Sequence, residues 1–187
     1  MLRWGLRSAI ALGLIITLYA LVRKGHRLRE PYHADAAVQE RLALLGREAL
    51  LSNDVPVAAV LLNGSAVIGE GHNTVLRDGH AGGHAEVNAV SQAIRGLGWA
   101  GFHALDRDSL LLITTYEPCA MCRGMLLEYR IKRVVYLEGK GLGHWMRDDL
   151  RWLRYELSKQ AGTPEELQGA LFMLHPDYPG TRAGQGE

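Results

Sequence analysis

Apolar and polar positions along the chain change rhythm several times, and each rhythm predicts an element. The first is unbroken: Ser8 to Val22 reads SAIALGLIITLYALV, 15 residues without a charge. As a helix at about 1.5 Å per residue it covers roughly 22 Å, or about 28 Å if Trp4 starts it and Arg7 reaches up to lipid headgroups, against a hydrocarbon core of about 30 Å. The pattern predicts an N-terminal transmembrane helix, with residues 1–30 forming a membrane anchor and basic flank. A cleaved signal peptide needs small residues at its cutting site, whereas the candidates near Tyr19 to Val22 are bulky. A buried helix is the other reading of the run. Arg23, Lys24, Arg27 and Arg29 follow it while only Arg3 and Arg7 precede it, a bias that keeps the downstream domain in the cytoplasm.

Between residues 35 and 53, Val38, Leu42, Leu45 and Ala49 recur at helical spacing behind Asp35, a residue suited to cap a helix. Val55 to Leu62 is continuously apolar, Asn63-Gly64 is a two-residue hairpin signal, and Ala66 to Gly71 resumes an extended pattern, so an antiparallel pair is predicted. Positions 73 to 83 are crowded with Gly, Asp and His without period, which predicts a loop delivering His84 to a helix that runs to Leu97. After a second irregular stretch, Leu110 to Ile113 has the composition of a buried strand, and Pro118 suits the first turn of a helix over 119–129. Arg133 to Leu137 predicts another strand, and Leu150, Leu153 and Leu157 share one face of a helix over 148–159. Trp145 and Trp152 are expected in the core. Strands alternating with helices behind an opening hairpin imply an α/β domain over residues 35–160, its mixed sheet covered on both faces. Residues 161–187 are expected to form a partly disordered C-terminal extension, without order beyond Pro176.

Composition narrows the possibilities. Beyond the N-terminal segment about 150 residues remain, the size of one domain with one core. Lys plus Arg number 21 and Asp plus Glu 20, so the global charge supplies no electrostatic grip on a nucleic-acid backbone. Cys119 and Cys122 are the only cysteines, and a disulfide between them would close too short a loop to staple a domain. Metal binding, redox chemistry or burial remain as uses for the pair, and metal binding suits a reducing compartment.

Two short segments carry chemistry: His84-Ala85-Glu86 and Pro118-Cys119-Ala120-Met121-Cys122, each opening a predicted helix. Cysteines three apart on a helix turn their sulfurs to one side, and a helix start lowers thiol pKa, giving the thiolates that zinc binds. With His84 as third ligand, the fourth tetrahedral position stays open, as in catalytic rather than structural zinc sites. Glu86, two residues beyond His84, is placed to move protons without joining the metal. The Cys pair alone also fits a thiol-redox motif, and a zinc-stabilised binding module without catalysis is a reading of another class. The paired pattern His-x-Glu and Pro-Cys-x-x-Cys is, however, a zinc deaminase signature.

On these residues the sequence resembles the cytidine and deoxycytidylate deaminase superfamily, especially the branch of tRNA adenosine deaminases and guanine deaminases. The likeness covers roughly residues 36 to 160 and is carried by VPVAAVLLNGSAVIGEGHN, GGHAEVNAV, TTYEPCAMCRGML and YRIKRVVYL. The resemblance implies a cytidine deaminase-like three-layer α/β/α fold with a five-stranded mixed sheet. It implies zinc as cofactor, held by His84, Cys119 and Cys122, and hydrolysis of an exocyclic amine to a carbonyl with release of ammonia. Glu86 corresponds to the family's proton shuttle, Asn73 to a substrate-binding asparagine, and Ala85 to a residue whose backbone amide holds the base; a homodimer is also implied. Relatives acting on tRNA read Asp-Pro-Thr-Ala before the histidine and carry a lysine-threonine-glycine pattern after the last strand. Here the corresponding segments are His80-Ala81-Gly82-Gly83 and GKGLGHWMRDD. These departures and the near-zero charge favour a small nucleobase, nucleoside or nucleotide over adenosine in tRNA.

Overall fold

The computed structural model describes residues 2–25, 30–162 and 166–174, and the chain divides into two compact units, 1–148 and 149–187. The apolar N-terminal run forms helix α1, Leu2–Lys24. Among the described residues no helix is long and apolar enough to cross a membrane. That finding overturns the expected transmembrane anchor, the membrane as partner and the membrane-held localisation. The uncharged stretch spans only about three quarters of a bilayer core, and any lengthening takes in a charged residue. The basic flank also has other work: the Lys24 ammonium donates to Glu117 at 2.9 Å, and the Arg23 guanidinium lies 5.2 Å from the Trp145 ring centre. Arg27 and Arg29 lie outside the described residues.

Helix α2, Ala36–Leu50, is capped by Asp35, whose carboxylate accepts from the Val38 amide at 2.8 Å, and it buries Val38, Leu42, Leu45 and Ala49. Strands β1, Ala58–Asn63, and β2, Ala66–His72, form the antiparallel hairpin. Its turn residues are Gly64 and Ser65, one position later than expected. Asn63 still pairs with Ala66 and accepts from the Ser109 hydroxyl at 2.5 Å, while Gly64 takes the left-handed φ of 61° that the turn requires. The short helix α3, Val75–Asp78, interrupts the expected loop. Helix α4, Ala85–His103, outruns its predicted end and contains a non-helical break at Gly98. Strand β3, Leu110–Tyr116, helix α5, Ala120–Glu128, and strand β4, Arg133–Glu138, follow.

The sheet order is β2-β1-β3-β4, antiparallel except for the parallel β3-β4 pair. Alternate residues of the two central strands face opposite layers. Ala59, Leu61, Leu110 and Leu112 pack with Ala85, Ala89, Val90 and Leu126 of α4 and α5. Ala58, Val60, Leu62, Leu111 and Ile113 pack with Val38, Leu42 and Leu45 of α2. The three layers are as expected, but the described residues hold four strands, not five. After β4 the chain continues as helix α6, Leu142–Ser158, and helix α7, Glu166–Met173. Leu142, Trp145, Met146, Leu150, Leu153 and Leu157 recur at three and four rather than alternating, the period of a helix and not of a fifth strand. Trp145 is in the core, whereas Trp152, expected there too, is 61% exposed. The disorder expected beyond Pro176 concerns positions outside the described residues.

Helix α4 lies directly on the hairpin. A Cβ at Gly69 would stand 2.2 Å from the Ala89 carbonyl oxygen, and one at Gly71 would stand 2.6 Å from the Asn88 Cβ. Gly69→Ala must therefore push the helix off the strand, with an expected loss of about 2–3 kcal/mol, read from the urea midpoint. At the sheet edge Arg41 and Glu70 form a two-pronged ion pair, with Nε to Oε2 at 2.6 Å. The Arg41 hydrogen bond holds the Glu70 carboxyl below its ordinary range, against the opposing push of burial. A carboxylate depressed in the folded state contributes stability above its unfolded pKa and loses it as pH falls through the folded value. Glu70→Gln is expected to cost up to about 1 kcal/mol at pH 7, a difference that disappears in acid below the ordinary glutamate range when unfolding is repeated there.

Candidate metal centre

The cysteine segment is positioned by the end of β3. Past the Tyr116–Glu138 pair, the Glu117 amide still donates to the Glu138 carbonyl at 2.8 Å, extending the β3-β4 ladder by one bond. The Glu117 carboxylate is buried and accepts from the Lys140 amide at 2.7 Å, the Trp145 indole at 3.0 Å and Lys24 at 2.9 Å. Burial pushes its carboxyl up, but the Lys24, Lys140 and Trp145 donors outweigh that and hold it below its ordinary value. Pro118, which has no amide to satisfy, leads into α5. Cys119 is the N-cap of that helix in extended conformation, its sulfur accepting from the Cys122 amide. Cys122, one turn in, is fully buried.

His84 occupies the equivalent place on α4, as its extended N-cap. Its Nδ1 lies 3.6 Å from the Cys119 sulfur and 3.5 Å from the Cys122 sulfur, and the sulfurs are 3.6 Å apart. A tetrahedral zinc with bonds of about 2.3 Å to sulfur and about 2.0 Å to nitrogen separates its donors by roughly 3.8 Å (sulfur to sulfur) and roughly 3.5 Å (sulfur to nitrogen). The triangle of donors therefore fits zinc, and among the described residues these three form the group placed to hold a metal. The Cys119 thiol is drawn down to about 5, first by the hydrogen bond from Cys122, and the Cys122 thiol is held up in return. Metal binding needs the thiolate form, so the lowered Cys119 thiol is the readier of the two donors.

Glu86, on the first turn of α4, is 3% exposed, with Oε2 3.5 Å from the Cys122 sulfur. Burial pushes its carboxyl above the ordinary glutamate value, against hydrogen bonds from its own amide and the Cys122 thiol. Ala85 is fully buried at the helix start, where amides lack intrahelical partners, and no described hydrogen bond uses its N–H. Asn73 follows β2, and the Thr74 amide donates to the Gly83 carbonyl at 2.7 Å. Asn73 and His84 thus flank one hydrogen bond. Among the described residues the Asn73 carboxamide has no hydrogen-bond partner although the residue is 9% exposed. All six residues picked from the sequence thus gather about two helix starts.

Reading the sequence missed two supports. Glu117 stood in the cysteine motif without a role; its signal is an acid immediately before Pro-Cys at a strand end. Asp54, in the α2-β1 connection and 2% exposed, accepts from the Leu76 amide at 2.7 Å and the Arg77 amide at 3.1 Å, capping α3 from a distance. Nothing local marks it. On α6, His144 pairs with Asp148 at 3.2 Å.

Residues 33–138 match the family described as the cytidine and deoxycytidylate deaminase zinc-binding region. The chain is 43% identical over 103 residues to a tRNA(Ile)-lysidine synthase of Deinococcus deserti, covering 54% of this chain and 18% of that protein. It is 33% identical over 96 residues to tRNA-specific adenosine deaminase 2 of Xenopus laevis, covering 49% of this chain and 53% of the relative. The chain therefore spans under a fifth of the first of these and about half of the second. Among solved structures, guanine deaminase from Bacillus subtilis superposes with a TM-score of 0.52 at 28% identity, covering 71% of this chain and 82% of that one.

Removing a donor is expected to empty the centre. Cys122→Ala should drop zinc content from about one ion per chain to a small fraction of that, by elemental analysis after dialysis, whereas Asn73→Ala should retain it.

Proposed function

The chain belongs to the cytidine and deoxycytidylate deaminase zinc-binding family, and we propose that it hydrolyses the exocyclic amine of a free nucleobase, nucleoside or nucleotide to a carbonyl, releasing ammonia. The observation that carries this reading is Glu86. A carboxylate 3% exposed and 3.5 Å from a ligand sulfur has no use in a closed structural zinc site, where burial without an ion-pair partner is only a cost. Burial raises its carboxyl above the ordinary glutamate value, the direction that helps a side chain hold a proton and pass it on.

His84, Cys119 and Cys122 hold the metal in this proposal. Zinc there supplies Lewis acidity, which brings the pKa of water from about 16 to roughly 7. Glu86 takes one proton from the attacking water and delivers it to the ring nitrogen beside the amine-bearing carbon. It then carries the new hydroxyl's proton to the amine, the C–N bond breaks, ammonia leaves and the carbonyl remains. Asn73, with its carboxamide unspent, and the Ala85 amide orient the base. The dry setting strengthens both contacts.

A second reading, adenosine in tRNA, is supported by the 33% identity to a tRNA-specific adenosine deaminase. A net charge of +1 favours the small substrate, because phosphate contacts supply much of nucleic-acid affinity. The test is ammonia release by the zinc-loaded full chain over bases, nucleosides, nucleotides and tRNA. Turnover of a small amine is expected, and Glu86→Gln should lower it by about 10²–10⁴-fold with zinc content unchanged. Release from tRNA alone would establish the second reading; silence on every substrate, or full activity in Glu86→Gln, would overturn the catalytic one.

A further inference from the structure

Asn73 is gripped by its backbone and left open at its side chain. Its own amide donates to the Val57 carbonyl at 3.0 Å, and the Thr74 amide after it donates to the Gly83 carbonyl at 2.7 Å. Asp54 fixes the turn beyond through the Leu76 and Arg77 amides. One further contact comes from the opposite element. Asn88, half-buried on α4, spends both hydrogens of its Nδ2 around Asn73, donating to the His72 carbonyl at 2.8 Å and to the Thr74 hydroxyl at 3.1 Å. The residues on either side of Asn73 are thus tied to a single nitrogen.

We infer that Asn88 is a positioning residue: by holding His72 and Thr74 it sets where the Asn73 carboxamide stands relative to His84 and Glu86, which the same helix carries. The inference rests on the reading of Asn73 as a substrate contact. The geometry that supports it is specific to this helix. Asn88 lies four residues after His84 and donates its amide to the His84 carbonyl at 2.9 Å, so metal ligand and clamp share one face one turn apart. A side chain as short as asparagine spans the gap because Gly71 lets β2 lie on the helix, where a Cβ would stand 2.6 Å from the Asn88 Cβ. Both acceptors need a donor: Thr74 is 3% exposed, and a buried carbonyl or hydroxyl without a partner is costly. An aliphatic residue at 88 would fill the same space and leave Asn73 free to shift, and a hydrogen bond to the base weakens steeply once its alignment is lost.

The experiment has two arms on the zinc-loaded full chain. In the first, kinetics use the best substrate of the wild-type panel. Asn88→Ala is expected to raise KM about tenfold with kcat little changed, since the contact it positions acts in ground and transition states alike. Thr74→Val, which removes only one acceptor, should raise KM less. The double variant Asn73→Ala/Asn88→Ala should be no worse than Asn73→Ala alone, because residues acting through one contact are not additive. In the second arm, amide hydrogen exchange of residues 72–77 should speed up in Asn88→Ala while that of residues 120–128, and the zinc content, stay as in the wild type. Multiplying losses in the double variant, an unchanged KM, or exchange no faster at 72–77 would each overturn the inference. A wild-type chain silent on every substrate would instead strike the deaminase reading, with the exchange arm still deciding whether Asn88 holds the segment.

Discussion

The contact of α4 with the hairpin is the constraint on which the site depends. Gly69 and Gly71 remove the side chains that would separate helix from strand, so that no Cβ fits between β2 and Ala89 or Asn88 of the helix. The first turn of α4 then stands beside the end of β3, where the chain turns into α5. Two helix starts meet, each capped by a residue in extended conformation, and those caps are His84 and Cys119. Neither is among the side chains that commonly cap helices. The Cys119 sulfur still accepts from the Cys122 amide, whereas His84 makes no side-chain cap bond; the α4 start thus forgoes capping, and the two ends together gain a triangle of ligands 3.5–3.6 Å on a side.

Such a triangle is electrostatically unfinished. The Cys119 thiol is drawn down while the Cys122 thiol is held up, and Glu86, buried against the second, is pushed toward its neutral form. A divalent cation resolves all of this at once: it neutralises the thiolates and gives the carboxylate a reason to ionise. The surrounding polar groups are, by contrast, fully engaged. Glu117 carries three donors, Asp54 caps a helix it does not belong to, and Asn88 uses both of its hydrogens. Against that background the Asn73 carboxamide and the Ala85 amide stand out, since no described hydrogen bond uses either.

The N-terminal segment shows how a local pattern misleads. Fifteen uncharged residues followed by basic ones fit a membrane topology signal, but hydropathy does not record what those basic residues touch. Lys24 meets Glu117 and Arg23 meets Trp145, partners nearly a hundred residues away or more. A charge that pairs with a buried acid cannot also serve as a headgroup anchor. The expected fifth strand, not found among the described residues, has the same origin in reverse: it came from likeness to a family, while the periodicity of residues 142–158 already had a helix's spacing.

The sequence by itself determined most of the elements and the metal-binding residue types. Helical and alternating periods placed α2, the hairpin, β3 and β4 within a few residues. The types His, Cys and Cys at helix starts pointed to zinc, because ligand chemistry is a property of residue type and short spacing. Only the tertiary structure decided what those residues rely on: the turn at Gly64-Ser65 instead of Asn63-Gly64, the burial of Trp145 but not Trp152, and the supports at Asp54, Glu117 and Asn88. Each of these is a contact between segments far apart in the chain. A hydrogen bond across twenty or more residues leaves no period in the sequence, since its energy depends on where the sheet and helices have already been packed.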